Sequence, residues 1–540
     1  MKRLYLFCLA CFPLLFAVSN AQTGFQRSFG GGNNDYGFDG KQTSDKGFVV
    51  FGYTRSFGAG SMDLYLVKTD SNGAFSWAKS YGGTGDDEGY AIRQTNDGGY
   101  ILCGYTKSFG AGGYDVYLIK TNSVGDTLWT KTYGGPKNDF GNAVIQTADG
   151  GYLVAGGTLS FPAGQDTSSA FVIKTDAAGK VQWAKSYGGT TKLKAESFTV
   201  GYGVQQTSDK GYIMTGYSNG FGETNGDVIL IRMDSSGSQV FTKTYGGKGV
   251  DWGSSVTQTK DGGYILAGSL GTDSTLTDND VLLIKTDLNG DTLFTKTYSG
   301  AGYDYAQSVV QCASGYALAG SSSSFGGGGY DGFLIKTNLL GDTVFSAAYG
   351  GAADEDVNGL SLYSNGGYAM FGSCKSFGVS ALSKYYLIRT DSTGNGFCNR
   401  WACPFTKRKL LTVVNTVTAQ VISPACIVLP ANTLVGSGGT GADACGHVDV
   451  RNMESEAGRM KLFPNPSSGI FRMTIENIAA SDLNIQMTDL LGQCVFSRKI
   501  INRSAFFSEE LNLQQMPEGL YLVRVIAGTE IFSEKIIIRH

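Results

Sequence analysis

The chain has 540 residues, a formal net charge of −3 and a pI near 5.6, with no basic stripe. That balance excludes nucleic-acid binding built on phosphate contacts. Seventy-nine glycines, nine prolines and 12% aromatic residues point to many short strands and tight turns rather than disorder.

The N-terminus reads as a secretory signal peptide over residues 1–21. Lys2 and Arg3 form the charged region, residues 4–18 the apolar stretch, and Ser19-Asn20-Ala21 the small-x-small cleavage site. The mature chain is expected to begin at Gln22. The apolar run is short of the ~20 residues a membrane span needs, and it continues past Cys11 to Phe16, which speaks against a lipoprotein. No later segment is long and apolar enough to span.

Residues 22–396 carry seven copies of one unit. A glycine–aromatic pair places its aromatic at Phe48, Tyr100, Tyr152, Tyr212, Tyr264, Tyr316 and Tyr368, with gaps of 52, 52, 60, 52, 52 and 52. In the unit 77–128, Trp77 to Tyr81 is an alternating strand closed by Gly82-Gly83, and 89–95 is a second. Asn96-Asp97-Gly98-Gly99 is a hairpin signal that needs positive φ. Residues 100–106 and 115–121 are nearly apolar throughout, so both faces of their sheet must be covered. Four-stranded antiparallel sheets stacked around an axis meet that requirement, which predicts an all-β, seven-bladed β-propeller. The Trp-x-Lys-x-Tyr-Gly-Gly strand follows repeats one to six, whereas an orphan copy, Phe25 to Gly31, precedes the first. The N-terminal strand is therefore expected to complete the seventh blade, with 24–31 pairing beside 385–391 and no edge left open to recruit other chains. A monomeric propeller is expected.

The period breaks only between Tyr152 and Tyr212, by eight residues: two beyond Phe161 and six within 190–199. Such insertions map to loops. Lys192, Lys194 and Glu196 are candidate partner contacts, against neutral length variation.

An acid recurs four positions after the Gly-Gly pair, at Asp35, Asp87, Asp139, Asp251, Asp304 and Glu355, with Leu193 in the third repeat. Asp87, Asp139, Asp251 and Asp304 would form a ring on one face, able to hold a ligand or else to cap their own turns. Recurrence in nearly every blade favours capping. A second series, Asp63, Asp115, Asp227, Asp280 and Asp331, opens the fourth strand of the unit. The two histidines, His447 and His540, lie outside the repeats, which excludes histidine triads and histidine-ligated zinc within them. No catalytic residue, cofactor or metal is assigned. A glycosidase-type carboxylate pair stays open as the enzymatic alternative.

Residues 397–456 read as a connector or small β module. It carries Cys398, Cys403, Cys426 and Cys445, a cluster that favours one or two disulfides in an exported protein, with zinc as the alternative. An independent domain follows over 457–540. Pro464-Asn465-Pro466 and Gly469 precede alternating strands, Asp489 to Gly492 forms a turn, Gly519 and Tyr521 open the last hairpin, and Lys535 lies near the end. Some seven strands in about 80 residues suit a β-sandwich.

These residues closely resemble the type A C-terminal sorting domain of the type IX secretion system of Bacteroidota. The resemblance implies translocation across the outer membrane by that machinery, with the domain read as a folded signal and the cargo released or held at the cell surface. The repeats resemble those of large exported proteins of the same bacteria, which brings no activity with it. The expected function is a secreted or cell-surface propeller that binds a glycan or protein. A polysaccharide-active enzyme or a structural envelope component are the alternatives.

Overall fold

In a computed structural model of the chain, each of the first six repeats supplies four antiparallel strands in sequence order across one sheet. The structure describes residues 24–539 apart from 163–166, 190–196, 222–224, 272–278, 364–365, 378–380, 397–399, the links within 400–443, 444–459, 477–481, 489–493, 502–505 and 528–529. The expected signal peptide, Lys192, Lys194, Glu196, Leu193, Asp489, Gly492 and all four connector cysteines lie outside the described residues. No helix occurs among the described residues. The chain divides into two compact units, 1–446 and 447–540.

The first sheet holds Asp35–Gln42, Phe48–Thr54, Asp63–Thr69 and Phe75–Gly82, from the inside outward. Six further sheets repeat this order, and the seven are consistent with propeller blades. The second and third strands are buried along almost their whole length, as apolar strands covered on both faces must be. Five of the seven hairpins between the first and second strands are fixed by an aspartate of their own, at Asp45, Asp97, Asp149, Asp209 and Asp261. Asp97 Oδ1 accepts from Thr95 Oγ1 at 2.5 Å and from Gly99 N at 3.0 Å. The buried Lys120 of the third strand reaches the same aspartate at 2.9 Å, and Lys68–Asp45, Lys174–Asp149 and Lys285–Asp261 repeat the pairing.

Neighbouring blades are pinned by side chains that the repeat supplies once per unit. Tyr81 Oη donates to Gly125 O of the next blade at 2.7 Å, and Tyr133, Tyr187, Tyr245, Tyr298 and Tyr349 do the same to Gly179, Gly237, Gly290, Gly341 and Gly394. Each acceptor glycine sits at positive φ (81° at Gly125, 73° at Gly179), with an aromatic ring pressed beneath it. A Cβ on Gly125 would stand 2.8 Å from Trp77. Gly is thus required twice over, for backbone conformation and for space. The glutamine closing most inner strands forms a second seam at the same end of the sheets, nearer the inner strands. Gln94 accepts from Ser44 N of the preceding hairpin at 2.8 Å, and Gln146, Gln206, Gln258 and Gln311 repeat the bond to Asn96, Ala148, Ser208 and Lys260.

The last repeat contributes three strands, Glu355–Leu362, Tyr368–Cys374 and Lys384–Thr390. Its fourth is Phe25–Gly30, paired antiparallel from Phe25 opposite Arg389 to Phe29 opposite Tyr385. The same packing that joins the other blades closes the seam. The Phe25 ring lies under Gly73 of the first blade, where a Cβ would come within 2.4 Å. Asn358 Nδ2 donates to Gly37 O at 2.9 Å across it.

The stretch read as a connector does more than connect. It runs around the outside and gives every sheet a fifth, short strand, visiting the blades in reverse order. Arg400–Ala402 pairs with the sixth sheet and Thr406–Lys409 with the fifth. Val413–Val417, Gln420–Ile422, Ile427–Pro430 and Leu434–Gly436 follow on the fourth to the first, and Thr440–Asp443 ends beside Phe25–Gly30. Strand starts fall six or seven residues apart (400, 406, 413, 420, 427, 434, 440). An outer strand with unpaired N–H and C=O groups is a template for other chains, and this belt covers the outer strand of all seven sheets. A protein ending at residue 446 is expected to stay monomeric, and one ending at 396 to self-associate, by size-exclusion chromatography with light scattering. Equal monomer content would show that the belt protects no edge.

The C-terminal unit has two sheets. One orders Met460–Phe463, Ile470–Glu476 and Phe506–Asn512; the other orders Cys494–Ile501, Asp482–Thr488, Gly519–Ala527 and Glu530–Ile538. Alternate residues of each strand form one core, including Phe471, Met473, Ile485, Val523, Val525 and Ile536.

Candidate functional site

The innermost strands of all seven blades line a cavity of about 470 Å³. Each of these strands carries a bulge at its fourth residue or the equivalent position, so one residue per blade drops out of register with the second strand. Bulges re-aim side chains. The seven bulge residues are Phe38, Tyr90, Asn142, Tyr202, Ser254, Gln307 and Asn358, and all seven line the cavity. Here the repeats stop resembling one another, because a residue facing open space is free of the packing that fixes its neighbours.

Two arcs of aromatic rings lead from the cavity wall toward the face where the inner strands begin. On one side Tyr202 of the wall stacks with Trp252 (centroids 5.9 Å apart), Trp252 with Tyr217 (4.7 Å), and Tyr217 meets Phe198 (6.0 Å). Trp252 and Phe198 are each 36% exposed. Phe198 lies within the stretch 190–199 that carries six of the extra residues, so the break in the repeat period adjoins this arc. On the other side Phe38 contacts Tyr90 at 4.6 Å, Tyr90 stacks on Tyr105 at 5.1 Å, and Tyr105 meets Phe140 at 5.0 Å. Glu88 accepts from Tyr90 Oη at 2.9 Å and Tyr105 Oη at 3.0 Å, fixing both phenols.

The cavity's charges come from two adjacent blades. Arg93 is bound to Asp39 Oδ2, which also accepts from Ile92 N at 3.1 Å, while Asp39 Oδ1 accepts from Gly40 N at 2.8 Å. Burial would raise the Asp39 carboxyl, but Arg93, Lys41 and these N–H groups outweigh it and hold it below the usual carboxylate range. Lys41 shows the reverse balance. Burial, with help from Arg93 and against Asp39, brings its ammonium down to about 8.

The recurring acids face away from this space. Asp87, Asp139, Asp251 and Asp304 have no exposed surface. Asp87 Oδ2 accepts from Gly83 N at 2.7 Å and Ser108 Oγ at 2.6 Å; its Oδ1 accepts from Thr106 Oγ1. Asp139, Asp251 and Asp304 hold their own turns through Gly135 N, Gly247 N and Gly300 N at 2.8, 2.7 and 2.7 Å. In the third-to-fourth junction the equivalent place falls to Thr199, which bonds Ser218 at 2.8 Å. The insertion shifts the spacing there, so counting from the Gly-Gly pair lands on Leu193 instead.

The second acidic series meets the first. A Cβ on Gly82 would stand 2.1 Å from Asp63 Oδ1 and 2.6 Å from Asp87 Oδ2, so the two carboxylates face each other across a glycine. Gly134, Gly246 and Gly350 sit likewise between Asp115 and Asp139, Asp227 and Asp251, and Asp331 and Glu355. At the closing seam a lysine replaces the second acid. Lys384 Nζ lies 3.7 Å from Asp35 Oδ2 and donates to Gly31 O and Asn33 O at 2.7 and 2.6 Å.

In the C-terminal unit, Asn465 ties the opening loop to the last strand: Nδ2 donates to Lys535 O at 2.6 Å, and Oδ1 accepts from Ile537 N at 3.0 Å. Pro464 and Pro466 flank it, exposed, each after a cis peptide bond. Gly469 has φ 90°, and a Cβ there would meet Gln514 Cα at 2.6 Å. Tyr521 Oη donates to Pro517 O at 2.8 Å, closing the turn before its own strand.

Residues 461–539 match the secretion system C-terminal sorting domain. The match indicates export by the type IX secretion machinery and a secreted or cell-surface protein. Within the sorting domain, Pro464, Asn465, Pro466 and Gly469 are brought against the last strand, whose Lys535 side chain points to solvent. No helix among the described residues is long and apolar enough to cross a membrane. A search of curated proteins gives no match.

Proposed function

We propose that the protein is an exported binding module that holds a glycan at the aromatic mouth of the central cavity. An N-terminal signal peptide delivers it to the periplasm, and the sorting domain carries it outward. The observation that supports the reading is the Tyr202–Trp252–Tyr217 stack, which is part-exposed at one face and continuous with the cavity wall. Flat, solvent-facing rings offer sugar C–H faces a large apolar surface at little entropic cost, while neighbouring hydroxyls and amides meet the sugar's own hydroxyls. Asn142, Ser254, Gln307 and Asn358 supply those groups from the cavity wall. Binding without turnover is favoured by the charges: among the described residues Asp39 is the only carboxylate in the lining, and it is neutralised by Arg93, whereas glycoside hydrolysis needs two carboxyls across the scissile bond.

The test is a panel of polysaccharides scored both for retention of the protein and for released reducing ends. Retention without release is expected, and Trp252→Ala should weaken it at least tenfold with the melting temperature unchanged. Released reducing ends would replace the reading with an enzymatic one. Retention indifferent to Trp252→Ala would remove the aromatic mouth as the site.

A further inference from the structure

We infer that Lys41 and Arg93 form an anion subsite within the central cavity, and that the glycan held there carries carboxylate or sulfate groups. The inference rests on the glycan reading and names the class of sugar.

Lys41 and Arg93 occupy the same place on the inner strands of adjacent blades, one residue before the closing glutamine. The equivalent residues of the other five blades are Ile145, Gln205, Thr257, Val310 and Ser361. Five of seven blades therefore pack with no charge at this position, so the fold does not require a cation there. Both cations line the cavity together with a single carboxylate, Asp39, which leaves a net charge of +1. That carboxylate is already committed. Its two oxygens take Arg93 and the N–H groups of Ile92 and Gly40, and Lys41 Nζ stays 3.9 Å from Oδ1. The one hydrogen bond Lys41 makes is long, 3.4 Å to Leu360 O across the closing seam. Its side chain keeps 26% of its surface open and that of Arg93 31%. A part-exposed ammonium and guanidinium on adjacent strands, the guanidinium donating to Asp39 Oδ2 and Ile92 O through one nitrogen, suit an oxyanion that bridges both.

The energetics agree with an unfilled role. Burial brings the Lys41 ammonium down to about 8, so it awaits a counter-charge that Asp39 alone does not supply. A bound anion would restore the ammonium's proton affinity, so binding takes up protons near pH 8 and weakens above it. The other titratable groups in the lining do not compete in that range. Asp39 stays ionised, burial pushes the Tyr202 phenol up to about 12, and burial raises Tyr90 further. On the carbonyl side, the strand Glu355–Leu362 presents Asn358, Gly359 and Leu360 to the cavity, none of them charged.

Isothermal titration of the full chain with a glucuronic-acid oligosaccharide, a sulfated oligosaccharide of equal length and a neutral one tests this. Either or both acidic ligands should bind at least tenfold tighter than the neutral one at pH 7, which also tells carboxylate from sulfate. The preference should shrink at least fivefold between pH 7 and 9. Lys41→Gln should abolish the preference and leave neutral binding unchanged, while Lys41→Arg should keep it and carry it past pH 9. Equal binding of acidic and neutral ligands, or a preference that survives Lys41→Gln, overturns the anion subsite and leaves the glycan reading standing. Loss of all binding in Trp252→Ala with no ligand preference in the parent protein separates the two in the same way. No binding of any ligand removes both.

Discussion

Deleting residues 24–31 is expected to lower the melting temperature by at least about 5 °C and to convert monomer into higher oligomers. The segment is one strand of 42, yet three kinds of interaction end with it. Phe25 and Phe29 are 6% and 1% exposed in a core that also holds Phe48, Tyr65, Phe371 and Tyr385, and their burial alone is worth roughly 3–6 kcal/mol. The ladder to Arg389–Tyr385 disappears, leaving the third strand of the seventh sheet as an open edge. The last belt strand, Thr440–Asp443, loses its only partner. A double variant, Phe25→Ala/Phe29→Ala, separates packing from edge exposure, because it keeps the backbone ladder. It should lower the melting temperature without driving association. Unchanged stability and unchanged monomer content in the deletion would sink the closure account.

Much of this was legible in the sequence because the repeat writes its packing seven times. The Gly–aromatic beat fixes the second strand, and hairpin signals such as Asn96-Asp97-Gly98-Gly99 fix the turn beside it. The orphan copy at 25–31 has only one place to go, beside Lys384–Thr390. For the recurring acids the sequence offered both a ligand ring and turn capping; in the structure Asp87 and its equivalents spend their oxygens on backbone N–H groups and hydroxyls. Two things were not legible, for opposite physical reasons. The belt strands are three to five residues long, too short for an alternation to stand out, and their pairing partners lie ever farther back in the chain, from Tyr349 opposite Arg400 to Gly82 opposite Leu434. The cavity wall is the reverse case. Tyr90, Asn142, Ser254 and Gln307 occupy equivalent bulges yet differ in side-chain chemistry. Repetition marks what the scaffold needs, whereas a site lies where repetition fails in side chain and not only in length. The length break at 190–199 pointed to the neighbourhood of Phe198 and Trp252; the substitution pattern at the bulge would have pointed to the wall itself.

Thermal stability is expected to peak at about pH 4 and to fall from there to pH 8, the opposite of proteins whose carboxylates are all salt-bridged. The cause is the set of facing acids at the blade junctions. Burial raises Asp63 and Asp115 to about 6, and Asp251 and Asp331 to about 7, from an ordinary value of 3.8. A carboxyl whose folded value is raised contributes stability that is complete below 3.8 and is lost as the pH climbs through 6 to 7. Each tenfold change in proton affinity is worth about 1.4 kcal/mol, so each fully buried member costs on the order of 3–4 kcal/mol by pH 8. Asp331 Oδ1 has no hydrogen-bond partner and faces Glu355 Oε2, where a shared proton would bridge the two. The hairpin aspartates act in the other direction. At Asp97 and Asp149 the upward push of burial is outweighed by threonine and lysine hydrogen bonds, which hold them at about 2, so their contribution fades as pH drops below 3.8. These two are more than half exposed, 58% and 53%, and solvent weakens their share, so the alkaline slope is the steeper one. Asp331→Asn supplies an amide donor to Glu355 without needing a proton. Differential scanning fluorimetry should find it a few degrees more stable than the parent at pH 8 and no more stable at pH 5. A parent melting temperature that is flat or rising from pH 5 to 8, or a loss in Asp331→Asn equal at both, would mean that the facing carboxyls are not protonated in the folded protein.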